Sequence, residues 1–126
     1  MQPVNLFDLA SQQARWLAVR QTAVSSNIAN ANTPGYGAVD VEPFEAVLNQ
    51  TRVAMRSTHV RHISAGQTES GFAVRQTNDS TPIMPNGNTV TLETELMKSG
   101  EVRRGMEMNT AIVKAFHRML MMTTRS

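Results

Sequence analysis

Residues 26–36, "SNIANANTPGY", separate a helical segment from an irregular one. Pro34 lacks a backbone N–H and disfavours helical geometry at Thr33, the residue before it. We therefore expect a helix that begins near the N-terminus to end at Ala31 or Asn32. The position of this boundary organises the rest of the chain.

The residues on either side of this boundary are suited to a turn and to polar contacts. Gly35 permits a positive φ, and Asn30 and Asn32 can hydrogen-bond to the local backbone as the chain turns. Asn27 and Asn30, three positions apart, share a helix face and can bond to a neighbouring backbone segment. The alternative is that they are helix-end residues with no further role.

Upstream of the boundary, the sequence has a clear helical period. A heptad spacing of three and four residues picks out eight positions, of which seven are apolar: Phe7, Ala10, Ala14, Leu17, Gln21, Val24, Ile28 and Ala31. Such a helix would be about 40 Å long, which is more than one small globular core needs. It therefore requires a long partner.

The C-terminal segment offers that partner. The same register contains six apolar residues, Leu92, Val102, Met106, Val113, Phe116 and Leu120, interrupted by the polar residues Glu95, Ser99 and Asn109. Thr91 with Glu95 predicts an N-terminal cap region. The predicted fold is mainly α, with long N- and C-terminal helices pairing as an antiparallel coiled coil.

Three segments follow from this pattern: an N-terminal helix in 1–33, an irregular connecting region in 34–88 and a C-terminal helix in 89–126. In the connecting region, "PFEAVLN" predicts one or two helical turns, and "STPIMPNGNT" has the composition of a linker. "GFAVRQT" alternates like a strand and can pair with "VRHIS" in a short β-hairpin across "AGQTESG".

Composition excludes several classes of protein. The 126 residues include no cysteine, so there is neither a disulfide framework nor a thiolate zinc site. No run approaches the roughly 18 apolar residues of a membrane span. The N-terminus lacks the basic and apolar regions of a cleaved secretory signal, so export would follow another route.

The sequence contains no recognisable motif for catalysis or cofactor binding. His59 and His62 are three residues apart, but neighbouring arginines would repel a cation and a full ligand set is missing. Phosphate-binding loops, nucleophile elbows and dinucleotide turns are absent. Arg52, Arg56 and Arg61 have no aromatic platform to bind nucleic acid. We expect no enzyme, no cofactor, no metal and no nucleic-acid partner.

Charges are segregated along the chain. Residues 40–50 hold three acidic residues and no cation, whereas the tail from Arg103 onward has five cations against Glu107. Alternating blocks of this kind favour head-to-tail or side-by-side association of copies of one molecule. The charge pattern alone is equally consistent with a solvated surface on which like charges cluster by chance.

Methionine is concentrated in the C-terminal helix, which holds six of the nine, at 97, 106, 108, 119, 121 and 122. Methionine is flexible and can pack against neighbours of different shape, although core filling is the simpler explanation for Met106. Met119, Met121 and Met122 point to different sides of one helix. We therefore expect contacts on more than one face.

The stretch "SNIANANTPGY" closely resembles the N-terminal signature of bacterial flagellar axial proteins, the rod and hook family, and residues 90–122 agree with that family at the C-terminus. The resemblance covers about the first 48 and the last 37 residues. Gly37 departs from it, because a basic residue often follows the tyrosine in relatives.

The resemblance implies a structural role. The paired helices would pack side by side into the wall of the hollow proximal rod of the flagellar basal body, which crosses the periplasm and transmits torque for motility. It further implies export without a cleaved signal by the flagellar type III apparatus. The implied partners are further copies of the chain, the rod protein FlgC and other rod proteins, the adapter FliE and the membrane-ring protein FliF.

The residues expected at assembly interfaces come from the two heptad stripes and the signature. They are Phe7, Leu17, Val24, Asn27, Ile28, Asn30, Asn32, Pro34, Gly35, Tyr36, Leu92, Val102, Met106, Val113, Phe116 and Leu120. The alternative function is a helical-hairpin adaptor or chaperone that binds other proteins.

Overall fold

A computed structural model describes residues 6–49, 72–77 and 83–125 of the chain. The described elements are α1 (Leu6–Ala29), β1 (Val39–Val41), α2 (Phe44–Asn49), β2 (Val74–Gln76) and α3 (Leu92–Thr124). The molecule is mainly helical, as predicted. At 33 residues, α3 is about 50 Å long and exceeds α1, which has 24 residues.

The two long helices pack against each other in antiparallel directions. Near the start of α1, the rings of Phe7 and Phe116 meet edge to face with centroids 5.1 Å apart. Near its end, the Asn27 amide donates to the Glu95 carboxylate at 3.1 Å. Because early residues of α1 meet late residues of α3, the predicted antiparallel pairing is confirmed.

The buried apolar core is small and lies mostly where α1, β1 and α3 meet. Its members are Ala10, Leu17, Ala23, Val24, Ala38, Val41, Val90 and Val102. None is aromatic, and the apolar surface they remove from water is correspondingly modest. Polar contacts must therefore contribute much of the specificity of this packing.

The N-terminal helix ends at Ala29, slightly earlier than the sequence predicts. The amide of Asn30 still reaches the Ser26 carbonyl at 3.0 Å, but the amide of Ala31 bonds to the Ile28 carbonyl at 3.2 Å. This shift to bonds spanning three residues tightens the last turn before Pro34. The predicted end at Ala31 or Asn32 lies two or three residues beyond the observed end.

The strand predicted within "GFAVRQT" forms as β2, but its partner is one that the sequence did not suggest. β2 pairs antiparallel with β1, with Val39 opposite Gln76 and Val41 opposite Val74. The other strand of the predicted hairpin, "VRHIS", and the turn "AGQTESG" lie outside the described residues. The helical turns predicted in "PFEAVLN" form as α2.

The start of α3 differs from a capping box. Thr91 occupies the N-cap position with extended geometry, but its side chain makes no capping hydrogen bond. The Glu95 side chain points instead toward α1, as described below. Among the described residues, no helix is long and apolar enough to cross a membrane.

Candidate functional site

Asn88, which lies in the segment predicted as a linker, holds the C-terminal end of α1. Its side-chain amide donates to the carbonyls of Asn30, Ala31 and Thr33 at 2.9, 3.0 and 2.9 Å. Its carbonyl oxygen accepts from the Val90 amide at 2.7 Å, and the residue is fully buried. These carbonyls belong to the turn that follows Ala29, where those of Asn30 and Thr33 also accept from backbone amides, so Asn88 ties this turn to a segment more than fifty residues away.

Two glycines face each other beside this cap. Gly35 and Gly87 both have positive φ, at 73° and 80°. The Gly35 amide donates to the Asn86 carbonyl at 2.9 Å, and a Cβ on Gly87 would stand 3.4 Å from the Gly35 Cα. The turn after Pro34 and the turn that presents Asn88 are thus fitted to each other.

The Asn27 side chain joins α1 to β1 by bonding to both backbone groups of Val39, as the backbone of a neighbouring strand would. Its amide donates to the Val39 carbonyl at 2.7 Å, and its carbonyl oxygen accepts from the Val39 amide at 3.0 Å. The Tyr36 hydroxyl lies 3.3 Å from the same oxygen and 3.2 Å from the Ser26 hydroxyl. The backbone segment that Asn27 contacts belongs to its own chain.

A charged network continues from Asn27 across the helix–helix interface. Glu95 is almost completely buried and receives the Asn27 amide on one oxygen, while the Lys98 ammonium lies 3.6 Å from the other. Lys98 also approaches Asp40 at 3.3 Å. Arg20 then bridges Asp40 at 3.5 Å and Glu101 at 3.2 Å.

This network specifies how the two helices meet. Among the described residues, no buried side-chain nitrogen or oxygen lacks a hydrogen-bond partner. Sliding α3 by one turn would separate Glu95 from Asn27 and Lys98 from Asp40, and would leave the Glu95 carboxylate in the interface with only Lys98 of its own helix as a partner. Glu95 therefore fixes the register of the pair, a role well attested for single polar residues in coiled coils.

Gly105 of α3 lies against the side chain of Leu17 of α1. A Cβ on Gly105 would stand 3.0 Å from one methyl carbon of Leu17 and 3.4 Å from the other. Leu17 is 3% exposed, so the glycine allows this side chain to be fully covered. A glycine inside a helix lowers helix stability by up to about 1 kcal/mol relative to alanine. The close approach of Leu17 explains why a glycine stands at this position.

Polar and aromatic side chains make further contacts of α1 with α3 and with α2. The Asn109 amide donates to the Ala10 carbonyl at 2.9 Å and to the Gln13 side chain at 3.1 Å. Trp16 donates to the Glu42 carbonyl at 2.8 Å and packs near the Phe44 ring, which anchors α2 to α1.

The predicted interface residues fall into three groups within one copy. Leu17, Val24, Asn27 and Val102 are buried; Asn30, Tyr36, Val113 and Phe116 are half-buried; Phe7, Ile28, Asn32, Pro34, Gly35, Leu92, Met106 and Leu120 are exposed. Members of the first group, together with Phe7 and Phe116, contribute to the contact between α1 and α3 of the same chain. A role of the whole set between copies stays a prediction.

Sequence reasoning missed several residues that build this site. Glu95 and Asn109 were treated as interruptions of the apolar register, although both contact α1. Polar residues at positions that otherwise face a partner were the available signal. Asn88 gave no comparable signal, because its three acceptors are distant in sequence.

Metal chemistry has no evident location in the parts of the chain that the structure describes. No group of three or more histidine, cysteine, aspartate or glutamate side chains there is placed to hold an ion. His59 and His62 lie outside the described residues. The carboxylates of the network are instead matched by Lys98 and Arg20.

Comparisons with known proteins point in one direction. The family model described as "Flagella basal body rod protein" matches residues 10–36, which span most of α1 and the turn through Tyr36. The chain is 46% identical to the flagellar basal body rod protein FlgB of Agrobacterium fabrum, over 99% of this chain and 96% of that protein. It is 34% identical to FlgB of Cereibacter sphaeroides, over 75% and 76% of the two chains. FlgB of Bacillus subtilis is 32% identical over 62% of this chain and 60% of its own.

Proposed function

This chain belongs to the FlgB family of flagellar basal body rod proteins, and we propose that it is a non-enzymatic structural subunit of the proximal rod. In this role, copies polymerise into part of a hollow drive shaft that crosses the periplasm. The shaft transmits torque for cell motility. The proposal combines the family membership with the exposed surface of α3.

One observation supports an assembling subunit more than a free-standing protein. Of the 33 residues of α3, Glu95 and Val102 are buried, while large apolar side chains along the helix are exposed. Among these are Met97 at 69%, Met108 at 65% and Met122 at 66%. Apolar surface of this extent on an extended helix is typical of protein–protein contact sites.

The partners and the route of export follow from the same proposal. Neighbours of the subunit would be further copies, FlgC and other rod proteins, FliE and the membrane-ring protein FliF. The chain would leave the cytoplasm unfolded through the flagellar type III export apparatus, without a cleaved signal peptide. The absence of cysteine suits passage as an unfolded chain, because no disulfide can form before assembly.

The test replaces the chromosomal gene with one encoding Leu17→Asp. This change puts a charge against Gly105 in the helix–helix interface and should destabilise the α1–α3 pair by about 3–5 kcal/mol. We expect wild-type levels of the variant to be secreted in a strain blocked after rod export, because export would use the unfolded chain. We also expect loss of swimming and no basal bodies containing the variant.

The matched control is Gln12→Asp, which adds the same charge at an exposed position of the same helix. It should leave swimming near normal. Normal swimming and intact rods in cells with Leu17→Asp would contradict the proposal, as would isolated wild-type basal bodies that lack this chain.

A further inference from the structure

A second apolar stripe lies on α3, on the side facing away from α1. It consists of Met108, Ile112, Ala115, Met119 and Met122, spaced four, three, four and three residues apart. At 100° per residue, these positions are centred about 120° around the helix from Val102, which is buried against α1. We call this set the outer stripe.

The outer stripe is solvent-exposed in the single chain. Met108, Met119 and Met122 are 65%, 57% and 66% exposed, and Ile112 is 43% exposed. A heptad spacing on an exposed face is the pattern of a helix that packs against a second partner. Methionine side chains can adapt to that partner without a preformed pocket.

Charge divides the outer side of α3 into two halves. The half that carries the outer stripe also carries Arg103, Arg104, Lys114, Arg118 and Arg125, opposed by Glu107. The first half presents Glu93, and Glu101, which is also bridged to Arg20 of α1 at 3.2 Å, with Leu96 and Met97 exposed at 58% and 69%. We call Glu93, Leu96, Met97 and Glu101 the acidic patch. Both surfaces are apolar with charged margins, and the margins are of opposite sign.

The opposite charges favour a second copy of the chain as the occupant, and we propose that the C-terminal part of the outer stripe, Ala115, Met119 and Met122, packs on the acidic patch of the next copy. The α3 helices then run in the same direction and are displaced along their axes. The spacing from Met97 to Met119 sets that displacement at about 33 Å.

Contact of one stripe with another is disfavoured by charge. In a two-fold antiparallel pair centred on the outer stripe, the basic margin of one copy would lie beside that of the other, because a two-fold axis brings identical surfaces together. Contact between different surfaces instead leaves one stripe and one patch free at the two ends. Growth can then continue, which rests on the proposed role as a polymerising rod subunit.

The chain contains no cysteine, so engineered disulfides can test this contact without background. Met97→Cys and Met119→Cys replace exposed side chains, and neither should disturb the fold. Purified single variants mixed at high concentration and oxidised should give a heterodimer as the main product. Each variant oxidised alone should stay mostly monomeric, and the double variant should give a ladder of dimers, trimers and longer products.

Three outcomes would overturn the inference. One is a Met119→Cys homodimer as the main product, which means that stripe pairs with stripe. Another is a double variant that stops at the dimer, which means a closed antiparallel pair. The third is a yield of mixed product no higher than that of Met119→Cys with Ser25→Cys, a control pair with its second cysteine at an exposed position on α1.

The charge component has its own control. Arg118→Glu in the Met119→Cys chain should lower the heterodimer yield about two- to fivefold, the usual range for an exposed ion pair. Glu93→Arg in the Met97→Cys chain should restore it. A loss without restoration would remove the charge argument, and an unchanged yield would do the same.

The same variants in cells separate this inference from the proposed function. Basal bodies that contain the chain but show no disulfide between residues 97 and 119 would overturn the contact and leave the rod assignment standing. Basal bodies without the chain would overturn the rod assignment, while the experiment in solution would still decide the contact.

Discussion

The two ends of the α1–α3 pair differ in how completely a single chain satisfies them. At the closed end, where α1 turns into β1, Asn27, Asn88 and Glu95 are at most 2% exposed, and the side chain of each is hydrogen-bonded within the chain. At the open end, Phe7 and Phe116 meet edge to face, but Phe7 is still 37% exposed.

This difference separates what a copy needs to fold from what it offers to a partner. Buried polar groups at the closed end have their partners inside the chain, so that end can order before assembly. The open end buries little apolar surface, so most of its helical stability must come from contacts with neighbours. The comparison therefore predicts a gradient of mutational effects on a single copy.

The largest effect is expected at Asn88. Asn88→Ala removes the side-chain donor to three turn carbonyls and the acceptor of the buried Val90 amide, and should lower the free energy of unfolding by about 3–5 kcal/mol. Urea unfolding followed by circular dichroism measures it. Asn32→Ala, at an exposed position of the same turn, is the control and should change stability by about 0.5 kcal/mol or less. Equal effects would remove Asn88 from its role as a cap.

A smaller effect is expected at Gly35. Its φ of 73° is unfavourable for a β-branched residue, so Gly35→Val should cost about 1–3 kcal/mol, although nothing lies within 4 Å of the new Cβ. Gly100→Ala is the control, since its Cβ also meets open space but its helical φ suits alanine. The control should be neutral or more stable by up to about 1 kcal/mol. If both changes had the same sign, backbone conformation would not be the cause.

The smallest effect on a single copy is expected at the open end. Phe7→Ala removes a partly exposed aromatic contact and should cost about 1 kcal/mol in the isolated chain, measured by thermal unfolding. In the assembly, the same change should reduce recovery of the protein in basal bodies by more than this cost predicts. A loss in the isolated chain as large as that of Asn88→Ala would erase the difference between the two ends.

Long-range polar contacts explain where the sequence-based picture is incomplete. Heptad spacing correctly predicted α1, α3 and their pairing, because a periodic apolar stripe of this length has few other ways to be buried. It could not predict that Glu95 would be buried, since a glutamate is buried only when it has partners, and the tertiary structure brings it Asn27 in addition to Lys98 of its own helix. The pairing of β2 with β1 was missed for a similar reason: strands of three residues carry almost no periodic signal.

Local chemistry determined the positions of the turns and the helices. Pro34 restricts the backbone and predicted the end of the first helix to within about one turn. Gly35 frees the backbone and adopts the positive φ expected of it. Only the tertiary structure decided the register of α1 against α3, the cap from Asn88 and the separation into a closed and an open end. Each of these depends on atoms that are more than fifty residues apart in the chain, and local preferences carry no information about which distant groups will meet.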